Sequence, residues 1–269
     1  SKLTDLYEIA NKELTMLSEW FKVNKLTLNV SKTKYILFRS RKQALSLDNC
    51  CLYIDGMKIQ RIGEGCKNES FKYVGIHLDE FLTWNQHVNA VKNKVSSAVY
   101  ALSKVKNLLP SEIKSTIYNS LFRSYIEYGI TAWGRNRSVN MNRIYLLQKR
   151  AVRYVENTNS TAHSDPLFFK YKILKLHDMV DLNQATFMFK YTYNLLPSSF
   201  NNFFTKLSNF DRSCNYQLEM LRNKFLQSFP SYALPKLWNS IPLGLKRSNS
   251  LNIFRKHYFE TLIGKYKPH

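Results

Sequence analysis

The sequence predicts an α+β fold in which a helix and antiparallel strands come first and a mostly helical remainder follows. Three observations predict it. Apolar residues alternate with polar ones at strand period in the stretch 26–38. An Asp55-Gly56 pair sits between two short apolar runs, the usual signature of a tight hairpin. From Thr83 onward the apolar residues recur at spacings of three and four, the period of an amphipathic helix.

Residues 2–23 read as a helix, with Leu3, Leu6, Ala10, Leu14, Leu17 and Phe21 as its apolar stripe. A turn at Asn24-Lys25 leads to a strand near 26–30, carried by Leu26, Leu28 and Val30. Ser31-Lys32-Thr33-Lys34 interrupts it, and Tyr35-Ile36-Leu37-Phe38 resumes a strand over 34–39. The interruption carries two lysines, either an ordinary solvated turn or positive charge held where it can meet a phosphate. A polar connector over 40–49 precedes the hairpin Leu52–Ile54/Met57–Ile59, and a loop with Gly63 and Gly65 leads to a strand over Phe71–Leu78.

Thr83 and Gln86 have the spacing of a capping box. Trp84, Val88, Val91, Val95, Val99, Leu102 and Val105 then form one apolar stripe. Pro110 ends that helix and opens another, whose buried side is expected to carry Ile113, Ile117, Leu121 and Tyr125 before Gly129 stops it. A third helix over 140–156 is expected to bury Ile144, Leu147, Ala151 and Val155, and three helices with short loops make a bundle. After the polar segment Asn157–Thr161, helices are expected over Pro166–Leu176, Asp178–Leu195 and Leu251–Tyr266, with Pro230, Pro235 and Pro242 arguing against long helices between. The chain divides accordingly into 1–80, 81–156 and 157–269.

The 269 residues carry 40 Lys and Arg against 19 Asp and Glu, a formal charge of +21. It is spread as +4 over 1–66, +8 over 67–156 and +9 over 157–269, so no tail holds it. An excess of this size implies polyanionic partners, nucleic acid first among them. A spanning segment of about 18 apolar residues is missing, and the opening SKLTDLYEIA lacks the apolar run of a signal peptide; no membrane role and an intracellular location, nuclear or cytoplasmic, are expected. Cys50, Cys51, Cys66 and Cys214 form no C-x-x-C pair, and His77 and His87 are poorly spaced to complete a zinc site, so reduced thiols are expected rather than a metal.

Several segments share one resemblance. Asn24-Lys25-Leu26-x-Leu28-Asn29-Val30-Ser31-Lys32-Thr33-Lys34-Tyr35-x-Leu37-Phe38 after a Trp-ended helix resembles the region that follows the catalytic box in reverse transcriptases of non-LTR (LINE-type, jockey-like) retrotransposons. Phe71-Lys72-Tyr73-Val74-Gly75-Ile76 looks like that family's primer-grip strand, and Leu82-Thr83-Trp84-Asn85-Gln86-His87 is similar to its L-T-W-x-x-H. Trp133-Gly134, Gln148-Lys149-Arg150-Ala151 and Leu237-Trp238-Asn239-Ser240-Ile241-Pro242 follow in the family's order. The resemblance implies the end of a polymerase palm over 1–80 with its primer grip, a helical thumb over 81–156, and a C-terminal region over 157–269.

It also implies roles. Lys32, in the family's N-x-x-K-T, would face the nucleotide and its departing pyrophosphate, with Lys34 as the alternative. Tyr73, Val74 and Gly75 would form the primer grip. Lys92, Lys94, Lys104, Lys106, Arg143, Lys149, Arg150 and Arg153 would meet the backbone of an RNA template paired with DNA primer or target. Polymerase chemistry needs paired carboxylates that hold two metal ions. This chain has no Asp-Asp pair, and the resemblance puts the catalytic box just before Ser1, where an amphipathic pattern is already under way. Mg²⁺ is therefore expected only for an intact polymerase, and this chain alone is expected to be inactive. Asp178 and Asp181 read as helix-surface residues, Trp84, Trp133 and Trp238 as core anchors, and His163 and His177 as structural. The alternatives are a non-enzymatic basic nucleic-acid-binding protein derived from such an element, or a decayed reading frame.

Overall fold

The computed structural model describes residues 2–41, 50–135, 139–207, 214–223 and 226–267; most of the predicted 40–49 connector lies outside them. The chain is α+β and divides into two compact units, Ser1–His87 and Val88–His269.

In the first unit, α1 (Lys2–Val23) has the predicted bounds, with Asp5 in its first turn and Lys22 in its last, as the helix dipole favours. Its inward line differs from the predicted stripe. Tyr7 and Ser18 are buried, whereas Leu6 and Leu17 are 49% and 45% exposed. Polar partners set this rotation. The Asn11 side chain donates to the Cys51 carbonyl (3.0 Å) and accepts from the Tyr53 N–H (2.8 Å), standing in for a neighbouring strand. Ser18 and Lys22 both donate to Asp55 Oδ1, at 2.8 and 2.7 Å.

No strand forms over 26–30. Lys25 takes the left-handed φ of 56° that ends α1, and Leu26 bonds back to the Phe21 carbonyl. β1 (Lys34–Ile36) pairs with β4 (Gln60–Ile62), and that pair is parallel rather than antiparallel. The chain makes a crossover before β4, so the two strands run the same way. Within the crossover lies the predicted hairpin, β2 (Tyr53–Ile54) and β3 (Met57–Lys58), turning at Asp55 (φ 50°) and Gly56 (φ 74°).

The predicted single strand over Phe71–Leu78 is instead a second hairpin of the same type. β5 (Ser70–Tyr73) and β6 (Ile76–Asp79) pair antiparallel, with Val74 (φ 44°) and Gly75 (φ 84°) as the turn. Tyr73-Val74-Gly75 thus occupies a hairpin tip and not a strand. Beyond β6, the buried Asp79 carboxylate accepts from the Phe81, Thr83 and Trp84 N–H groups and from the Thr83 hydroxyl, at 2.9–3.2 Å. Thr83 is therefore drawn into a carboxylate-centred turn, and α2 (Asn85–Val105) starts one residue later than the capping box predicts.

In the second unit α2 buries Val88, Val91, Val95, Val99 and Leu102, as predicted. The next helix does not follow its predicted register. α3 (Ser111–Ile117) passes through a wider i→i+5 turn over Tyr118–Arg123 into α4 (Ser124–Glu127), and buries Lys114, Tyr118, Phe122 and Ile126. Leu121 is 42% and Ile113 49% exposed. A spacing of four overshoots a 3.6-residue turn, and the wide turn absorbs the excess. Lys114 is tolerated inside because its ammonium donates to the Lys106 carbonyl (2.8 Å) at the end of α2.

Gly129 ends this helix at φ 63°, and α5 (Ile130–Trp133) brings Trp133 into the core. At Gly134 an added Cβ would lie 2.6 Å from the Ile130 carbonyl and 2.7 Å from Val180, so only glycine fits there. α6 (Val139–Glu156), α7 (Asp165–Lys170) and α8 (Leu176–Thr192) follow. Buried Gln148 locks α6 to the start of α8. Its amide donates to the Leu174 carbonyl and the Tyr118 hydroxyl, both at 2.9 Å, and accepts from the Leu176 N–H at 2.8 Å. α9 (Pro230–Ser240) starts at a proline and contains Pro235, α10 (Leu243–Lys246) is a single turn, and α11 (Leu251–Gly264) closes the chain under a Ser250 cap. Trp238 is fully buried, and Asn239 bonds both backbone groups of Tyr216.

Candidate nucleic-acid interface

The predicted thumb cations fall on two helices that treat them differently. On α2, Lys92 flanks the buried stripe while Lys94 and Lys104 point elsewhere: Lys94 sits over the Tyr125 ring (4.7 Å) and Lys104 over Tyr100 (5.1 Å). Lys106, just past the end of α2, reaches Tyr154 of α6 at 5.8 Å. On α6 the buried line Met141, Ile144, Gln148, Ala151, Val152 and Val155 leaves Arg143, Arg150 and Arg153 together on the opposite side. Lys149 flanks them, over Tyr145 at 4.7 Å. Arg143 and Arg150 are exposed, while Arg153 spends its Nε–H on the Ala162 carbonyl at 2.8 Å.

Charge balance separates these residues from other cations. Among the described residues none of Lys92, Lys94, Lys104, Lys106, Arg143, Lys149, Arg150 and Arg153 forms an ion pair. Arg39, Arg61, Arg135, Lys170 and Lys175 are each matched to a carboxylate within 3.5 Å. These cations are not neutralised by carboxylates among the described residues, and four of the eight rest on tyrosine rings.

The structure describes the remaining sequence-predicted residues singly. Lys32 is exposed on a turn built by Asn29, whose carbonyl and side-chain oxygen both accept the Lys32 N–H at 3.1 Å. Tyr73 and Val74 are 62% and 69% exposed at their hairpin tip, beside Gly75. Asp178 and Asp181, expected on a helix surface, are half-buried and partnered. Asp178 accepts from the Tyr266 hydroxyl, and Asp181 pairs with Arg135 at 2.6 Å, whose Nε also donates to Gln184. Burial raises the Asp181 pKa, and Arg135 offsets part of that rise. Among the described residues no three of His, Cys, Asp and Glu come together to hold a metal, and no helix is long and apolar enough to cross a membrane.

Three proteins of Drosophila melanogaster align with this chain. The probable RNA-directed DNA polymerase from transposon X-element is 24% identical over 156 residues, covering 55% of this chain and 16% of that protein. The RNA-directed DNA polymerase from mobile element jockey is 25% identical over 114 residues, 41% of this chain and 12% of its own length. The probable RNA-directed DNA polymerase from transposon BS is 29% identical over 162 residues, or 56% and 17%. The chain resembles the reverse transcriptases of non-LTR retrotransposons. It spans less than a fifth of the length of each of these relatives. No family model matches the sequence, and no solved structure matches it.

The segments that first suggested reverse transcriptases have packing roles in the structure. Trp133-Gly134 is a buried anchor and a close approach, Gln148 is the buried hub, and Trp238-Asn239 is core plus strand surrogate. His87, the last residue of L-T-W-x-x-H, is buried and accepts the His77 N–H at 3.4 Å. Sequence reasoning missed Glu80, a buried carboxylate that accepts from both sides of the Arg39 guanidinium (3.2 Å each), from Arg61 (3.5 Å) and from the Glu64 N–H (2.7 Å). Gly63 leaves room for it, since an added Cβ there would lie 2.7 Å from the Glu80 carboxylate, a proximity that only the fold creates.

Proposed function

We propose that this chain is a duplex-gripping part of an RNA-directed DNA polymerase of a non-LTR retrotransposon. In this reading 1–80 ends the palm, 81–156 is the thumb and 157–269 is a C-terminal region. Arg143, Lys149 and Arg150 on α6, with Lys94 and Lys104 on α2, meet phosphates of an RNA template paired with DNA. The Tyr73-Val74-Gly75 tip lies against the primer, and Lys32 faces the nucleotide. Mg²⁺ enters with carboxylates that this chain does not supply, so alone it binds and does not polymerise.

The observation that supports this reading is the run of cations on α2 and α6 without carboxylate partners among the described residues, on a chain of net charge +21. Unneutralised cations on rigid helices release counterions when they meet phosphates, which gives affinity without reading sequence. With about four phosphate contacts, log K falls with log salt at a slope of roughly −4 on B-form DNA. Arg143→Ala with Arg150→Ala flattens that slope by about two units and weakens all sequences alike. The decisive measurement is competition between an RNA–DNA hybrid and a generic duplex near physiological salt. Preference for the hybrid that is lost in the double variant supports the reading. An unchanged slope removes it, and a hybrid bound no better than any duplex leaves a basic binding protein in its place.

A further inference from the structure

Beyond the helices discussed so far, the second unit contains a polar cleft of about 830 Å³. It is formed where α8 ends, where a single turn Ser198–Phe200 follows, and where Thr205–Leu207 runs antiparallel to Asn215–Gln217. That volume lies within the range of small-ligand sites.

Its floor is aromatic and closed upon itself. Tyr191, Phe204 and Tyr216 meet edge-to-face at centroid separations of 4.8, 5.6 and 6.0 Å. The Tyr191 hydroxyl donates to the Phe204 carbonyl (3.2 Å) and accepts its N–H (2.9 Å), while the Tyr216 hydroxyl pairs with Thr192 (3.0 Å). Tyr216 and Phe204 are buried within the floor, and the half-buried Tyr191 and Phe200 are the rings that reach the cleft. The rim is polar. Asn194, Asn201 and Asn202 line it with exposed side-chain amides that hydrogen-bond to nothing among the described residues. Asn194 and Asn202 adopt left-handed φ values of 53° and 64°, which gives asparagine a backbone reason to be there; Asn201, at φ −57°, has none. Lys206 is the cation at this rim, and none of the lining residues is acidic.

We propose that this cleft holds an unpaired nucleotide of a single-stranded nucleic acid. A nucleobase offers a flat apolar face and an edge carrying both donors and acceptors. The half-buried Tyr191 and Phe200 rings match the first and side-chain amides, which donate and accept, match the second. Lys206 supplies the charge for the adjoining phosphate. A paired base hides that edge in its duplex, so the cleft selects single strands and complements the duplex-binding helices. The proposal does not depend on the polymerase reading beyond the presence of nucleic acid.

The test uses the full chain, with labelled dT and rU 12-mers and a 12-base-pair duplex near physiological salt. Asn201→Ala with Asn202→Gly changes no charge and keeps the left-handed position permissive. It is expected to weaken single-strand binding roughly tenfold while duplex binding changes less than about twofold. Photo-cross-linking with an iodouridine-substituted 12-mer is expected to label peptides that contain Tyr191 or Phe200, the half-buried rings of the lining. Single-strand affinity unchanged in this variant, or adducts confined to α6, overturns the proposal. Arg143→Ala with Arg150→Ala reports on the duplex site separately, so failure at one site is distinguishable from failure at the other.

Discussion

The two units solve the same problem with different materials. Among the described residues, the first buries Tyr7, Ile54, Ile59 and Ile62, together with Ser18, Asp79, Glu80 and His87. Its order comes from carboxylates and amides that gather backbone N–H and guanidinium groups: Asn11 at the β2–β3 hairpin, Asp79 on the turn before α2, and Glu80 on Arg39, Arg61 and the Glu64 N–H. The second unit buries a continuous set of Val, Ile, Leu, Phe and Trp side chains from every long helix it contains, and uses polar hubs such as Gln148 sparingly. Burial of apolar surface is non-directional, whereas a buried carboxylate works only with its partners in place. The first unit is therefore specified by a few irreplaceable contacts, the second by many interchangeable ones. The first also leaves Ile9, Met16, Trp20 and Val23 of α1 exposed.

That contrast can be broken or sharpened by substitution. Glu80→Ala removes the buried carboxylate shared by two guanidinium groups that are only 13% and 17% exposed, leaving them their contacts to Glu64, and is expected to destabilise the first unit by about 3 kcal/mol. Chemical denaturation showing less than about 1 kcal/mol would put that unit's stability elsewhere. In the second unit Phe122→Ala is expected to cost a similar amount, about 3–5 kcal/mol, and its neighbour Leu121→Ala less than about 1. Equal losses at the two positions would mean the wide turn after α3 is absent. Gln148→Ala leaves the Leu174 carbonyl and the Leu176 N–H buried without their partner, at about 1–3 kcal/mol.

The smallest expected effect is in pH. Hydrogen bonds from Lys170, and then from Tyr171, hold Glu156 below the usual carboxylate range. Its contribution is present above the unfolded-state pKa of about 4.3 and is lost as pH falls through the depressed folded value. Asp181 has the opposite sign. Burial raises its pKa, so between its unfolded and folded values stability falls as pH rises. Glu156→Gln is expected to reduce the acid-side loss in denaturation curves between pH 2 and 6, and Asp181→Asn to make that loss begin at higher pH. The same slope in both variants as in the parent would show that neither group is coupled to folding.

Sequence alone placed the ends of four long helices, though not those of α7 or α9. α1, α2, α6 and α8 fall within a few residues of prediction because apolar period, proline and terminal charge are local properties of the chain. The Asp55-Gly56 hairpin was legible for the same reason, since its turn needs only residues that accept positive φ. Of the candidate site, the residue types and helices were legible, but not which cations share a face. Tertiary structure alone decided which side of a helix turns inward. In α3 the row Ile113, Ile117, Leu121 and Tyr125 is more apolar than the row Lys114, Tyr118, Phe122 and Ile126 that is buried. The Lys106 carbonyl accepts the Lys114 ammonium, and the wide turn keeps Tyr118, Phe122 and Ile126 inward. In α1, Asp55 holds Ser18 and Lys22, and Leu17 is left outside. It also turned Val74-Gly75 into a hairpin tip and made β1 and β4 parallel. Periodicity records how apolar residues are spaced along one element; a rotation or a register depends on a partner remote in sequence, and only the folded chain supplies it.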